Sequence, residues 1–242
     1  MASKPDPTRR TLLRRLAAGA CLALAPGTLP AEETRPVPLA ESTRRVRTAS
    51  VRFAGAECIC VELRDDEQRR VLHTGGNGPT YALVQVPFRE GVIDLDVAAE
   101  LTGLGARESR GFVGIAFHID VAAETYEAVY LRMTNGRLNR PPPPVPRVDR
   151  AIQYVAHPDF HYAVSRERFP GRYERGADVA LGQWHHLRLE IGSTRARALV
   201  DGHEALAIDE LHYAGREGAV GLFIDDGTRG YFRGLRIWNA AP

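Results

Sequence analysis

The sequence predicts an all-β protein, a sandwich of two antiparallel sheets, on three observations. Apolar and polar residues alternate with a period of two through most of the chain beyond residue 48. The 23 glycines and 16 prolines recur between those stretches, where turns are needed. No amphipathic run of three helical turns is evident beyond residue 31. A chain of 242 residues suits one such domain, since undivided all-β domains commonly reach roughly 200–250 residues.

The first 31 residues read as an export leader and stand outside the fold. Thr8-Arg9-Arg10-Thr11-Leu12-Leu13 resembles the twin-arginine signal, with Leu12 where Phe is preferred. An apolar run, Leu16–Ala25, and a small-residue cleavage site at Leu29-Pro30-Ala31 follow. The run falls short of the about 20 apolar residues that span a bilayer. The expectation is therefore a periplasmic or secreted protein, not transmembrane after cleavage. Cleavage after Ala31 removes Lys4, Arg9, Arg10, Arg14 and Arg15 against Asp6, which turns the whole chain's formal charge of +2 slightly negative. Nucleic acid is accordingly not an expected partner. Lys4 is the sole lysine, so the cleaved chain has none for Schiff-base chemistry.

Residues 32–48 are Pro- and Arg-rich without periodicity and read as a flexible tether, which leaves 49–240 for the sandwich. Ser50–Phe53 and Cys58–Leu63 read as strands, with Arg64–Arg70 turning between elements. Cys58 and Cys60 share a strand face at a spacing that rarely meets disulfide geometry. Small buried hydrophobes and a redox or metal pair both remain open for them. Thr74–Pro79 is a loop without the Gly-Lys-Ser/Thr of a phosphate loop. Tyr81–Val86 and Gly91–Leu101 are strands, the second carrying Asp94 and Asp96 on one face. Same-face neighbours lie about 6–7 Å apart at the backbone. The carboxyl separations of glycosidases, about 5–5.5 or 6.5–9.5 Å, are therefore within reach. A solvated strand edge explains the two acids as well.

Gly111–Arg132 holds the most informative alternation. Val113, Ile115, Phe117 and Ile119 fall on one side, and Val129 and Leu131 repeat the pattern after a turn at Val121–Thr125. The opposite face lines up His118, Asp120, Tyr126, Tyr130 and Arg132, rings beside hydrogen-bonding groups, as a sugar-binding face requires. Next comes an excursion, about 134–183, stiffened by Pro141–Pro144. It is rich in aromatic and basic residues: Tyr154, Phe160, Tyr162, Phe169 and Tyr173 among Gln153, His157, His161, Arg166 and Arg172. An ordered flap over the polar sheet face is expected, with a short capped helix within Pro158–Arg168. His157 and His161, four apart, match a metal-binding pair on a helix, but no third strong ligand accompanies them.

The last sixty residues are the most regular. Trp184–Ile191, Arg195–Val200 and His203–Ile208 alternate cleanly, the last two joined by Asp201-Gly202, a strong hairpin signal. Gly218–Asp225 and Gly230–Trp238 close the chain. Asp225 and Asp226 offer hard oxygen ligands for a structural Ca²⁺, or simply make a β-turn.

Gly182-Gln-Trp-His-His-Leu-Arg-Leu-Glu190, Ala198-Leu-Val-Asp-Gly202, Gly218-Ala-Val-Gly-Leu222 and Tyr231-Phe-Arg-Gly-Leu-Arg-Ile237 together resemble the concanavalin A-like lectin/glucanase superfamily. More narrowly the chain resembles the 3-keto-disaccharide hydrolase and laminin-G-like domains. The resemblance covers about residues 50–238 and implies a jelly-roll β-sandwich with a carbohydrate ligand. Glucanase members carry three acids, E-x-D-x-E, on one strand. Here Ala98 stands in that series after Asp94 and Asp96. The expected function is glycan recognition by an exported protein, with no cofactor beyond a possible structural Ca²⁺. Tyr126, Tyr130 and Tyr154 would meet sugar rings, and Asp94, Arg132, His157, Arg166 and Tyr173 complete the ligand set. The alternatives are a glycoside hydrolase using Asp96, His118 or Asp120 as acid and base, and a laminin-G-like module binding protein or cell wall.

Overall fold

A computed structural model describes residues 45–74 and 78–240. Two antiparallel sheets face each other across an apolar layer, the sandwich expected from the sequence. The first sheet contains β1 (Val46–Phe53), β2 (Ala56–Leu63), β4 (Gly91–Leu101), β9 (His185–Ile191), β10 (Ala196–Val200), β11 (His203–Ile208) and β13 (Thr228–Asn239). Its seven strands run in the order β1-β2-β13-β4-β9-β10-β11. The second is six-stranded, with β3 (Tyr81–Phe88), β5 (Phe112–Asp120), β6 (Thr125–Arg132), β7 (Ile152–His157), β8 (Glu174–Arg175) and β12 (Gly218–Ile224) in the order β3-β12-β5-β6-β7-β8. The leader and most of the tether lie outside the described residues. Val46–Thr48, read as the tether's end, already belong to β1 and pair with Val61–Leu63.

Alternation builds these strands. In β9 every second residue, His185, Leu187, Leu189 and Ile191, is buried. Leu95, Val97, Ile115, Phe117, Val129, Leu131 and Phe232 meet them between the sheets. Each such side chain, taken fully from water, contributes roughly 1.5–3 kcal/mol.

Two segments depart from the sequence reading. Where a turn was expected, Asp65–Thr74 forms helix α1. Asp65, Asp66 and Glu67 occupy its first turn and His73 its last, the order that complements the helix dipole. Val71 anchors it to the core. The expected flap is half sheet: β7 is a full strand beside β6, and only the remainder lies over the surface. That remainder includes helix α2 (Tyr162–Arg168), which begins at His161 without a side-chain cap.

Two bulges decide which way side chains point. In β5 the register slips between Phe117 and Asp120, and His118 adopts φ 50. The extra residue turns His118 off the outer face. In β13 the slip falls between Arg233 and Arg236, at Gly234 with φ 64. There it brings two arginines three residues apart onto one face, opposite Asp96 and Asp94.

Candidate functional site

The outer face of the six-stranded sheet carries an aromatic floor. Phe223 of β12, Gly114 of β5, Tyr130 of β6 and Gln153 of β7 form one row across the sheet. A Cβ on Gly114 would lie 2.7 Å from that of Tyr130 and 2.2 Å from the Val129 carbonyl oxygen. Its absence leaves room for the Phe223 and Tyr130 rings to stack at 5.2 Å. Phe112 meets Tyr130 edge-on at 5.9 Å. Tyr126 stacks on His157 at 5.1 Å and donates its hydroxyl to the Gly78 carbonyl at 3.3 Å.

Above this floor is a depression of about 460 Å³, walled by α1, the loops after β4 and β6, α2 and the residues that follow β12. That volume is within the roughly 300–1,000 Å³ of ligand pockets. One wall is basic, with Arg110, Arg132, Arg147, Arg150 and Arg166. Behind it the buried Glu174 carboxylate accepts from Arg166 at 2.7 and 2.9 Å and pairs with Arg150 at 3.2 Å and Arg132 at 3.4 Å. Arg132 also donates to Gln153 Oε1 at 3.0 Å and the Tyr130 hydroxyl at 3.3 Å. At the mouth, 42% exposed, is Tyr162. Arg166 lies 4.9 Å and Arg132 5.9 Å from its ring centroid.

The acids stand across from that wall. Asp226 accepts from Gln68, the Ala106 amide and the Ser109 hydroxyl at 2.8–2.9 Å, which occupies both its oxygens. Asp225 accepts from the Asp226 amide at 2.8 Å through Oδ1. Its Oδ2 has no hydrogen bond among the described residues. Burial pushes its carboxyl up to about 7, against the pull of that amide. His161, also on the wall, hydrogen-bonds His157 at 3.1 Å, and burial pushes it down to about 4. No cluster of three or more His, Cys, Asp or Glu that would hold a metal occurs among the described residues.

Of the residues expected from the sequence, Tyr126, Tyr130, Arg132 and Arg166 come together here, with Asp225 and Asp226 at the edge and His157 behind Tyr126. The rings are not the open platforms expected: Tyr126 is 2% and Tyr130 6% exposed, and Tyr162, expected only as one of the flap aromatics, offers the accessible ring. His118 is a correction. The β5 bulge turns it inward, where Nε2 donates to the Arg89 carbonyl at 2.7 Å and Nδ1 meets the buried Glu127 carboxylate at 2.5 Å. Tyr154 is another, because β7 directs it to the core, its hydroxyl donating to Glu127 at 2.5 Å. Tyr173 packs beside it at 5.5 Å, also inside. Asp120 is exposed and accepts the Ala122 and Ala123 amides at 3.0 Å, closing the β5–β6 turn.

Asp94 and Asp96 sit on the other sheet. Arg236 binds Asp94 at 2.8 Å, while Arg233 at 2.9 Å and His186 at 3.0 Å hold Asp96. The acid–base grouping of Asp96, His118 and Asp120 is therefore not assembled. Cys58 and Cys60 are free and buried on that same sheet beside Tyr231, and burial pushes the Cys60 thiol up to about 11. Such thiols are inert. Sequence reasoning missed Arg110, Arg147, Arg150, Phe223 and Glu174, and placed Tyr162 among the flap aromatics without assigning it to the ligand. The signal at hand was the density of arginine after Pro141–Pro144.

No family model matches the sequence, and no curated protein matches it. Among solved structures the chain is similar to the carbohydrate-binding module CBM66 from Bacillus subtilis, with 11% identity, 82% of this chain and 98% of that one covered, and a TM-score of 0.49. It is also similar to a Bacillus subtilis protein of unknown function with a galectin-like fold, at 10% identity, 79% and 86% coverage and a TM-score of 0.46. A third is described as a putative glycosyl hydrolase from Parabacteroides distasonis, at 11% identity, 80% and 82% coverage and a TM-score of 0.40. No described helix is long and apolar enough to cross a membrane.

Proposed function

We propose that the depression on the six-stranded sheet binds a glycan. The observation that supports this most is convergence: an accessible ring, Tyr162, stands over directed donors from separate segments, in a hollow of about 460 Å³. Stacking on an aromatic ring with a few fixed polar anchors is how a sheet surface holds a sugar. Export by the twin-arginine-type leader belongs to the same proposal and rests on the sequence of Thr8–Leu13, the apolar run Leu16–Ala25 and the small-residue site Leu29-Pro30-Ala31. A glycan array run on the purified protein tests the binding. Tyr162→Ala weakens any captured sugar roughly tenfold, about 1.4 kcal/mol, without lowering stability. A signal indifferent to Tyr162 and to the basic wall overturns the site.

Hydrolysis is the second reading, and Asp225 is the observation behind it. A carboxyl held up to about 7 and open to the hollow suits a general acid. Incubating the captured sugars with the protein reads this directly. Cleavage that Asp225→Asn abolishes supports the enzyme, and binding without cleavage retires it.

A further inference from the structure

We infer that the sugar taken by this hollow is acidic, its carboxylate or sulfate groups engaged by the guanidinium groups of Arg110, Arg147, Arg150 and Arg166; this rests on the glycan-binding reading. Charge balance is the first support. Glu174 is already shared by Arg132, Arg150 and Arg166. Arg147 donates to Asn135 Oδ1 at 3.1 Å and to the Thr134 oxygens, and Arg110 to the carbonyls of Arg107 and Ser109 at 2.8 Å. Neither makes an ion pair among the described residues. The two lie near each other, and burial first, then the Arg147 charge, hold Arg110 below its ordinary value, against the opposing pull of the exposed Glu108. A bound anion relieves that repulsion.

The other sheet supplies the contrast. On its outer face Arg188, Arg197, Arg229, Arg233 and Arg236 each meet a carboxylate, so the charge of that face is matched in place, whereas Arg110 and Arg147 line a hollow without one. Geometry is the second support. Planar guanidinium forks match planar carboxylates and sulfate edges two bonds at a time, and Tyr162 beside them receives the ring that bears the anion. The acids across the hollow offset the five arginines of the wall only in part. Asp226 is occupied by three donors, and Asp225 is held toward its neutral form, in which it donates to an anion. Glu108 is exposed at the rim.

Calorimetric titration of the full chain with matched pairs tests this: an oligogalacturonate against its methyl ester, and a sulfated galactan oligosaccharide against its desulfated form. One acidic member is expected to bind at least roughly tenfold more tightly than its neutral counterpart, the effect of one charge-assisted hydrogen bond. Its affinity falls as salt rises from about 0.05 to 0.2 M. The arm that binds tells carboxylate from sulfate. Arg147→Gln and Arg110→Gln each erase the preference, Arg147→Lys keeps part of it, and Arg52→Gln, an exposed pair with Glu57 on the other sheet, leaves it intact. The acid–neutral comparison and salt slope use the unmodified protein, so a misfolded variant does not hide the answer. Equal affinity for both members of each pair overturns the inference and leaves the glycan reading standing. Binding of inorganic sulfate with no oligosaccharide bound overturns the glycan reading, and with it this one.

Discussion

The outer faces of the two sheets use the same residue types to opposite ends. On the seven-stranded sheet acids and arginines are matched across neighbouring strands, Asp94 with Arg236 and Arg188, Asp96 with Arg233, Glu62 with Arg47 and Arg229, Glu190 with Arg197, and along β9, Glu190 with Arg188. The charges of that face are neutralised where they stand. On the six-stranded sheet loops and α2 rise around an aromatic floor, and the arginines outnumber the acids they touch. Charge that is paired along a strand stabilises the sheet modestly. Charge left over in a hollow is available to a ligand. Asp94 and Asp96 drew attention in the sequence because a strand can present two acids, yet β13 had already supplied their partners through the Gly234 bulge.

This contrast is open to test, and Glu174 carries the largest effect. Glu174→Gln leaves the buried Arg132 without its carboxylate and loosens Arg150 and Arg166. Denaturant unfolding is expected to show a loss of about 3–5 kcal/mol, typical of breaking a buried pair from one side. A loss under about 1 kcal/mol would place Glu174 with the exposed pairs of the other sheet. Gly114→Ala comes next. The added methyl meets the Val129 carbonyl and Tyr130, so a loss of about 1–3 kcal/mol is expected together with weakened binding. An unchanged midpoint would show that the floor yields easily.

Asp225 gives a smaller effect, readable in pH. Its folded value near 7 lies above the roughly 3.9 of an unfolded Asp. The folded chain therefore holds a proton the unfolded chain has released, and that contribution is full below about pH 4 and lost as pH rises through 7. Thermal melts across this range should flatten in Asp225→Asn. His161 acts with the reverse sign: held near 4, below the roughly 6.5 of a free imidazole, it contributes above 6.5 and the contribution disappears as pH falls through 4. A wild-type pH profile unaltered by Asp225→Asn would remove Asp225 from this account. Asp96→Asn is the smallest change. Asp96, Arg233 and His186 are each about a third exposed, so roughly 0.2–1 kcal/mol is expected, with sugar binding untouched. Loss of binding or turnover in Asp96→Asn would return the site to the seven-stranded sheet.

Much of the fold is legible in the residues. Leu187, Leu189 and Ile191 against Arg188 and Glu190 announce β9, and Asp201-Gly202 turns β10 into β11. Helix α1 is harder because its apolar face is short, Val71 being its buried hydrophobic anchor while Glu67 and Gln68 are buried polar. Its acid-first, base-last order was the signal available. β7 hid inside a long excursion, where Gln153, the second residue of the strand, broke the apolar pattern. Gln153 is buried because Arg132 and the Tyr173 carbonyl satisfy its amide, which no local pattern reveals.

The sequence by itself determined the all-β class, the strand pairs joined by tight turns and the aromatic–basic character of Tyr126, Tyr130 and Arg132, because alternation and turn chemistry act over a few residues. Tertiary structure alone decided the rest. The β5 bulge turned His118 from the outer face to a buried partner, Glu127. The pairing of β13 with β4 neutralised Asp94 and Asp96. The packing of four distant segments left Arg110 and Arg147 together over Phe112 and Phe223. Burial and charge neutralisation depend on neighbours remote along the chain, and those neighbours exist only once the sheets have closed.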